Sequence, residues 1–264
     1  MNIQISAKKK KDYFISLFQV LKNCSSLINV TFYENNLHIQ GIDKSHICLF
    51  EVKINKSWFS TYEICEFDEN NKSKNISFDS SNFYSIISTK SDNHDLIIKM
   101  NKNDNDMLYI SFKPIETIKG EFKKSFKMPL SDYDYEELNV PTVDYDTEFT
   151  VSSKQVTDIF NQLSNFGNDI IIKCCQEEIN LTTTGVNGEM RVDIPIDDLS
   201  SYSIVEDEEI LLTYSLIYMN KMCITNKLSS EINFSLSNDF PMKIHYDLED
   251  DSSITFYIAS KVIE

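Results

Sequence analysis

Six cysteines and four histidines are the side chains of this 264-residue chain with the widest chemical range, and neither set is spaced for a site. Cys24, Cys48, Cys65, Cys174, Cys175 and Cys223 form no C-x-x-C pair, and the adjacent Cys174 and Cys175 point to opposite faces of a predicted strand. They read as reduced, half-buried thiols of an intracellular protein. His38, His46, His94 and His245 show no ligand spacing, so no metal site is expected. The acids cluster in runs, at Asp132–Glu137, Glu206–Glu209 and Asp247–Asp251, all in predicted loops. Runs of this kind are solvated charge rather than an acid and a base held in two different environments. There is no G-x-S-x-G, no Gly-rich phosphate loop and no H-E-x-x-H. The chain therefore reads as a binding protein, not an enzyme, and no cofactor is expected.

Two other sets of residues could act by charge or by apolar contact. Lys8, Lys9, Lys10, Lys11, Lys22, Lys90, Lys154 and Lys221 lie in or beside predicted helices. A net charge of −16 argues against a protein that binds nucleic acid over its whole surface. It does not argue against one that is acidic outside and basic on an enclosed face. The second set is Leu138 and Val140, just before Pro141 in the acidic stretch SDYDYEELNVPTVDY, residues 131–145. Pro141 disfavours helix at Val140, and the charges oppose burial, so the stretch reads as an extended connector. Apolar side chains left on such a segment point to a contact site.

The elements that would position these residues occur twice. KDYFISLFQVLKNCSSLINVTFYENNLHIQGID and SKQVTDIFNQLSNFGNDIIIKCCQEEINLTTTGV share one order, an amphipathic helix followed by strands. Tyr13, Phe14, Leu17, Phe18 and Leu21 make one apolar helical stripe, and Val156, Ile159, Phe160 and Leu163 repeat it. Shorter helices are predicted at Ser81–Ser88 and Ser215–Lys221. Most of the remainder alternates as strand, including Leu27–Tyr33, His46–Ile54, Leu96–Met100, Met107–Phe112, Glu231–Leu236, Lys243–Leu248 and Ile254–Ile258. The class is α+β, with domains at 1–130 and 146–264 joined by the connector at 131–145. No leader and no membrane-spanning run is read at either end.

At these residues the chain resembles the eukaryotic-type sliding clamps, the proliferating cell nuclear antigen family. The sharpest pieces are LHIQGIDKSHICLFEV (37–52), EELNVP (136–141) and FPMKIHYDL with ITFYIASKVIE (240–264), and LSNFGNDIIIKCCQEEINLTTTGVNGEM (163–190) also follows the pattern. The resemblance implies two similar clamp domains, sheets outside and helices lining the central hole of a homotrimeric ring. It places the subunit-joining edges at Glu121–Met128 and Met190–Ile194. Its implied partners are double-stranded DNA held topologically, a clamp loader, and DNA polymerase and other clients bound through a short peptide; no membrane is involved. Ile42, His46, Ile47, Leu49, Leu138, Val140, Pro141, Pro241, Tyr257 and Ala259 match the family's peptide pocket, and the lysines above are the matching or compensating DNA-facing positions.

Three departures stand out. Ile15, Ser16, Asp158, Asn161, Asn165 and Ile217 occupy positions that are basic in the family, leaving Lys22 as the clean match. Ser260 replaces a rim Pro, and Gln176 stands where many relatives carry a modifiable Lys. A clamp-like viral late transcription factor, or a subunit of a heterotrimeric checkpoint clamp, is the alternative expectation. The implied compartment is the nucleus, or a viral factory if the source is a large DNA virus.

Overall fold

The i, i+4, i+8 spacing of Phe14, Phe18 and the residues around them does form a helix, and its aromatic side chains organise the first half of the chain. A computed structural model describes residues 1–64, 73–101, 104–132, 137–224 and 226–261. The first half holds β1 (Asn2–Ile5), α1 (Lys8–Cys24), β2 (Leu27–Tyr33), β3 (Asn36–Ile42), β4 (Cys48–Asn55), β5 (Thr61–Glu63), β6 (Ser73–Asp79), α2 (Ser80–Ile87), β7 (His94–Asn101), β8 (Asp104–Pro114) and β9 (Lys124–Pro129). The second holds β10 (Thr147–Ser152), α3 (Ser153–Leu163), β11 (Asp169–Cys174), β12 (Glu178–Gly185), β13 (Gly188–Pro195), β14 (Ser201–Ile204), β15 (Ile210–Ser215), α4 (Leu216–Met222), β16 (Glu231–Leu236), β17 (Met242–Asp247) and β18 (Ser253–Ile258).

Element for element the two orders coincide among the described residues. So do the strand neighbours: β5-β1-β7-β8-β9 and β4-β3-β2-β6 in the first half, β14-β10-β16-β17-β18 and β13-β12-β11-β15 in the second. Strand pairs such as β1 with β7, β11 with β12, β12 with β13 and β2 with β6 are antiparallel, so short connections suffice and each strand can turn one face to the core and the other to water. This is an α+β fold with few helices and long sheets.

Two compact units result. One comprises 1–41, 51–138 and 248–253; the other comprises 42–50, 139–247 and 254–264. A linear cut at 130 and 146 keeps 42–50 with the first half and 248–253 with the second. The compact units assign each to the other side, and the break in the connector falls between Leu138 and Asn139.

In the first unit Phe18 meets Phe83 at 4.5 Å and Phe78 meets Phe83 at 4.6 Å, with Phe14 5.0 Å from Phe18. Trp58 is buried and donates its indole N–H to Leu248 O at 2.9 Å. In the second unit Phe149 stacks on Phe234 at 5.1 Å, under Phe160 of α3. Aromatic pairs at these separations add to the area they bury. Cys24, Cys48, Cys174 and Cys223 are buried and Cys175 is half-buried, while Cys65 lies outside the described residues.

Most expected elements shift by a few residues at their ends, and three of these differences bear on the site and the edges. The predicted strand at His46 begins at Cys48, because residues 43–47 close a loop in which His46 takes a φ of 56°. The first expected edge starts at Lys124: Glu121 instead turns back, its N–H donating to Ile118 O at 3.1 Å, while its carboxylate receives Ser91 Oγ and Asn93 Nδ2. The second edge is longer than expected, from Gly188 to Pro195. β9 and β13 each end their row of strands among the described residues.

Candidate functional site

Residues 42–49 are shaped by one buried carboxylate. Asp43 accepts backbone N–H groups from Ser45 (2.9 Å), Ile47 (2.8 Å) and Cys48 (2.7 Å), and the Tyr218 hydroxyl at 3.1 Å. Its own N–H donates to Cys48 O at 2.9 Å, which closes the loop. Asp is suited to this role because its short side chain reaches backbone donors two to five residues on. Burial alone would raise the Asp43 carboxyl. The three backbone donors and Tyr218 outweigh it, and the group is held below the ordinary value of 3.8. A carboxylate so held fixes Ile42, His46 and Ile47 at the loop surface.

These residues, with Leu49 at the start of β4, form one wall of an apolar cavity of about 280 Å³ in the second unit. The connector supplies Asn139, Val140, Pro141, Val143 and Tyr145. Phe240 and Pro241 come from the turn before β17, and Tyr257 and Ala259 from the end of β18. Tyr145 is anchored by its hydroxyl on Pro241 O at 3.3 Å and by Lys243 stacked 5.6 Å from its ring centre. Ala259 N–H donates to Ile47 O at 3.1 Å, tying the far wall to the loop. Ile42 and Phe240 are 38% and 39% exposed, a large apolar area for a cavity open to solvent. Such a wall is suited in shape and polarity to apolar side chains.

Nine of the ten residues expected at a pocket thus line this one cavity. Leu138 does not. Its backbone is fastened to Gln40 of β3 in the first unit, N–H to Oε1 at 2.7 Å and C=O from Nε2 at 2.9 Å, and it is not among the lining residues. Asn139, Val143, Tyr145 and Phe240 were not expected. Pro141, Val143 and Tyr145 stand two apart and line the cavity, while Thr142 and Asp144 between them do not: the period of an extended chain with one face turned to the cavity.

The lysines divide sharply. Lys11 is wholly buried, its Nζ donating to the carbonyls of Asp92, at 3.0 Å, and His94. Burial first, and then the charge of Lys90, lower its pKa. It cannot face a ligand, and the expectation that it faces DNA is corrected. The reason is position: Lys11 precedes Phe14 by three residues and Phe18 by seven, on the buried stripe of α1.

Lys8, Lys9 and Lys10 crowd the first turn of α1, where the helix dipole already disfavours positive charge and no side chain caps the end. Carboxylates offset them: Asp92 2.6 Å from Lys8, Glu249 against Lys9, and Asp250 2.6 Å from Lys10. Lys90 is paired with Asp12 and lies 3.4 Å from Asp92. Glu249, Asp250 and Asp251 all take positive φ, a costly backbone for residues other than glycine, in the turn that presents them. Lys22 lies over the Tyr84 ring at 3.9 Å and Lys221 over Tyr218 at 4.8 Å, and both residues are half-buried. Lys154 is exposed and has no ion-pair partner among the described residues. Of the positions that depart from the family's basic pattern, Ser16 is buried, whereas Ile217 is 52% exposed.

Comparison with known proteins follows the same division of the chain. Residues 7–137 match the sequence model of the proliferating cell nuclear antigen N-terminal domain, and residues 139–261 match that of its C-terminal domain. A relative from Paramecium bursaria Chlorella virus 1, described as probable DNA polymerase sliding clamp 2, is 26% identical over 251 residues, covering 93% of this chain and 86% of the relative. The crystal structure of PCNA from Thermococcus kodakaraensis superposes with a TM-score of 0.84 at 17% identity, covering 98% of this chain and 99% of that one. With both domain models matched in order over nearly its whole length, the chain belongs to the proliferating cell nuclear antigen family.

Proposed function

We propose that this protein is a DNA sliding clamp, a non-enzymatic processivity factor that encircles duplex DNA and tethers a polymerase and other clients. The observation that carries the reading is the apolar cavity walled by a connector, in a chain that is a family member across both domains. A client peptide bearing aliphatic and aromatic anchors would fill that cavity, and β9 of one copy would pair with β13 of the next to close a trimer of three times 30.7 kDa. The name of the algal-virus relative points the same way.

The test is processive synthesis on primed circular DNA with a clamp loader. Wild-type protein should lengthen products. A Val140→Asp/Tyr257→Ala variant should not, while keeping its mass in solution and its melting temperature. Equal stimulation by the variant would refute the role of the cavity. The carboxylate-paired lysines of α1 favour a second reading, a clamp-fold protein with weak hold on DNA, such as a checkpoint-clamp subunit or a late transcription factor. A requirement for a second, different chain before any ring forms would support that alternative.

A further inference from the structure

His38 on β3 is 3% exposed and has a carboxylate at each ring nitrogen. Nε2 lies 3.1 Å from Glu51 Oε1 on β4, and Nδ1 lies 3.1 Å from Glu137 Oε1 on the connector. A neutral imidazole has one N–H and one lone pair, so it can donate to only one of these oxygens and would turn its lone pair on the other. Only the imidazolium, with an N–H on each nitrogen, can donate to both oxygens at once.

The other groups around the ring fit that state. On β2, Tyr33 donates its hydroxyl to Glu137 Oε2 at 2.9 Å, and its ring lies 6.4 Å from His38; the cross-strand neighbour there is the uncharged Thr31. On β4, Lys53 Nζ lies 3.2 Å from Glu51 Oε1. Burial, and then the bond to Glu137, push the Tyr33 hydroxyl up to about 12. The His38 contact, ahead of the opposing effect of burial, holds the Glu51 carboxyl below its usual range. Two residues along β3, on the same face, Gln40 makes its two bonds to Leu138.

We infer that His38 is a proton-dependent latch for the connector: its imidazolium holds Glu137 against β3, and loss of the proton releases that end. Glu137 is the partner that leaves. Its side chain is 50% exposed and would be left to the neutral Tyr33 hydroxyl, whereas that of Glu51 is 17% exposed and is also held by the charged Lys53. Asn139 and Val140, two and three residues on from Glu137 and beyond the Gln40-bound Leu138, line the apolar cavity. Any peptide that needs them ordered therefore binds better when His38 is protonated and, by linkage, drives proton uptake there. That consequence for peptides rests on the function proposed above; the latch itself does not.

Hydrogen exchange of the full-length protein, corrected for intrinsic rates, tests the latch across the range in which imidazoles lose charge, roughly pH 5 to 8. Protection of the Leu138 N–H, which is bonded to Gln40, should fall with rising pH, while β7 in the same unit stays unchanged. Glu137→Gln is the discriminating variant. Its neutral amide can donate to the unprotonated Nδ1 while Nε2–H donates to Glu51, so the connector should stay protected at high pH and the pH dependence should vanish. His38→Ala should lose protection at low pH as well. No pH dependence in the wild type, or the same dependence in Glu137→Gln, would overturn the latch.

Calorimetry with a polymerase-type peptide forms a separate arm. Affinity should weaken roughly tenfold over the same range in the wild type, as loss of one charge-assisted hydrogen bond would give, and hold steady in Glu137→Gln. If exchange behaves as expected and the peptide binds at no pH, the latch stands and the proposed function of the cavity fails.

Discussion

Replacing Asp43 by Ala removes the acceptor around which residues 43–48 are wrapped. Four donors lose their partner: the N–H groups of Ser45, Ile47 and Cys48, and the Tyr218 hydroxyl. They do not weigh equally. Ser45 is exposed and its N–H can turn to water, whereas Cys48 is fully buried and its N–H cannot. A buried donor left unsatisfied costs about 1–3 kcal/mol, and each hydrogen bond to a charged acceptor contributes about 1.5–3 kcal/mol. Relief of the left-handed backbone at His46 returns about 1 kcal/mol. The net loss is about 3 kcal/mol, which for a chain of this size lowers the melting temperature by roughly 6–12 °C.

The effect on binding should be larger than the effect on stability implies. Ile42, His46 and Ile47 lose their fixed positions together, and loss of one anchor site of about 2 kcal/mol corresponds to roughly thirtyfold in peptide affinity. Differential scanning calorimetry and peptide titration measure the two effects. A melting temperature within about 2 °C of wild type, combined with unchanged affinity, would refute the reasoning. The pH dependence has a definite sign. The folded carboxyl lies below 3.8, so its contribution is complete above that value and is lost as pH falls towards the folded pKa. Wild type should therefore shed this part of its stability below about pH 4, and Asp43→Ala should have none of it to shed.

Charge reversal separates the lysines: Lys154→Glu should weaken association with duplex DNA and flatten its salt dependence with little change in melting temperature, whereas Lys11→Glu should destabilise the fold by several kcal/mol, because it sets a carboxylate against two buried carbonyls. A stable, soluble Lys11→Glu protein would show that the burial of Lys11 is misplaced. Burial pushes the Cys174 and Cys223 thiols up to about 12, so a maleimide should label Cys175 before either in the native protein, as read by mass spectrometry. Labelling of Cys223 at the same rate as Cys175 would contradict this.

The fold was legible in the sequence where one period governs many residues. The stripe of α1 and the repeat of α3 show in apolar spacing, and the strands β2 and β16 begin and end where alternation does. What the sequence hid depends on partners far along the chain. Lys9 and Lys10 meet carboxylates 240 positions away, so their basic run looked free. Asp43 reads as one more surface acid until its backbone donors are seen to converge on it. Two misses had a local signal. Lys11 lies in phase with Phe14 and Phe18, and Val143 and Tyr145 continue the inward alternation from Pro141. In both cases the polar or acidic character of the neighbourhood outweighed the period, and the period was the better guide.

The lysines at the start of α1 are already neutralised on the protein itself. A lysine that passes from Asp92, Glu249 or Asp250 to a passing phosphate exchanges one exposed oxyanion for another. Exposed, solvent-screened pairs of this kind contribute little, so the handover would be close to level, and so would the handover at the next phosphate along. A surface that was only positive would hold a polyanion wherever it first landed. One that carries its own competing anions keeps the contact shallow at every register, so a helical polymer can turn and advance past it against little friction.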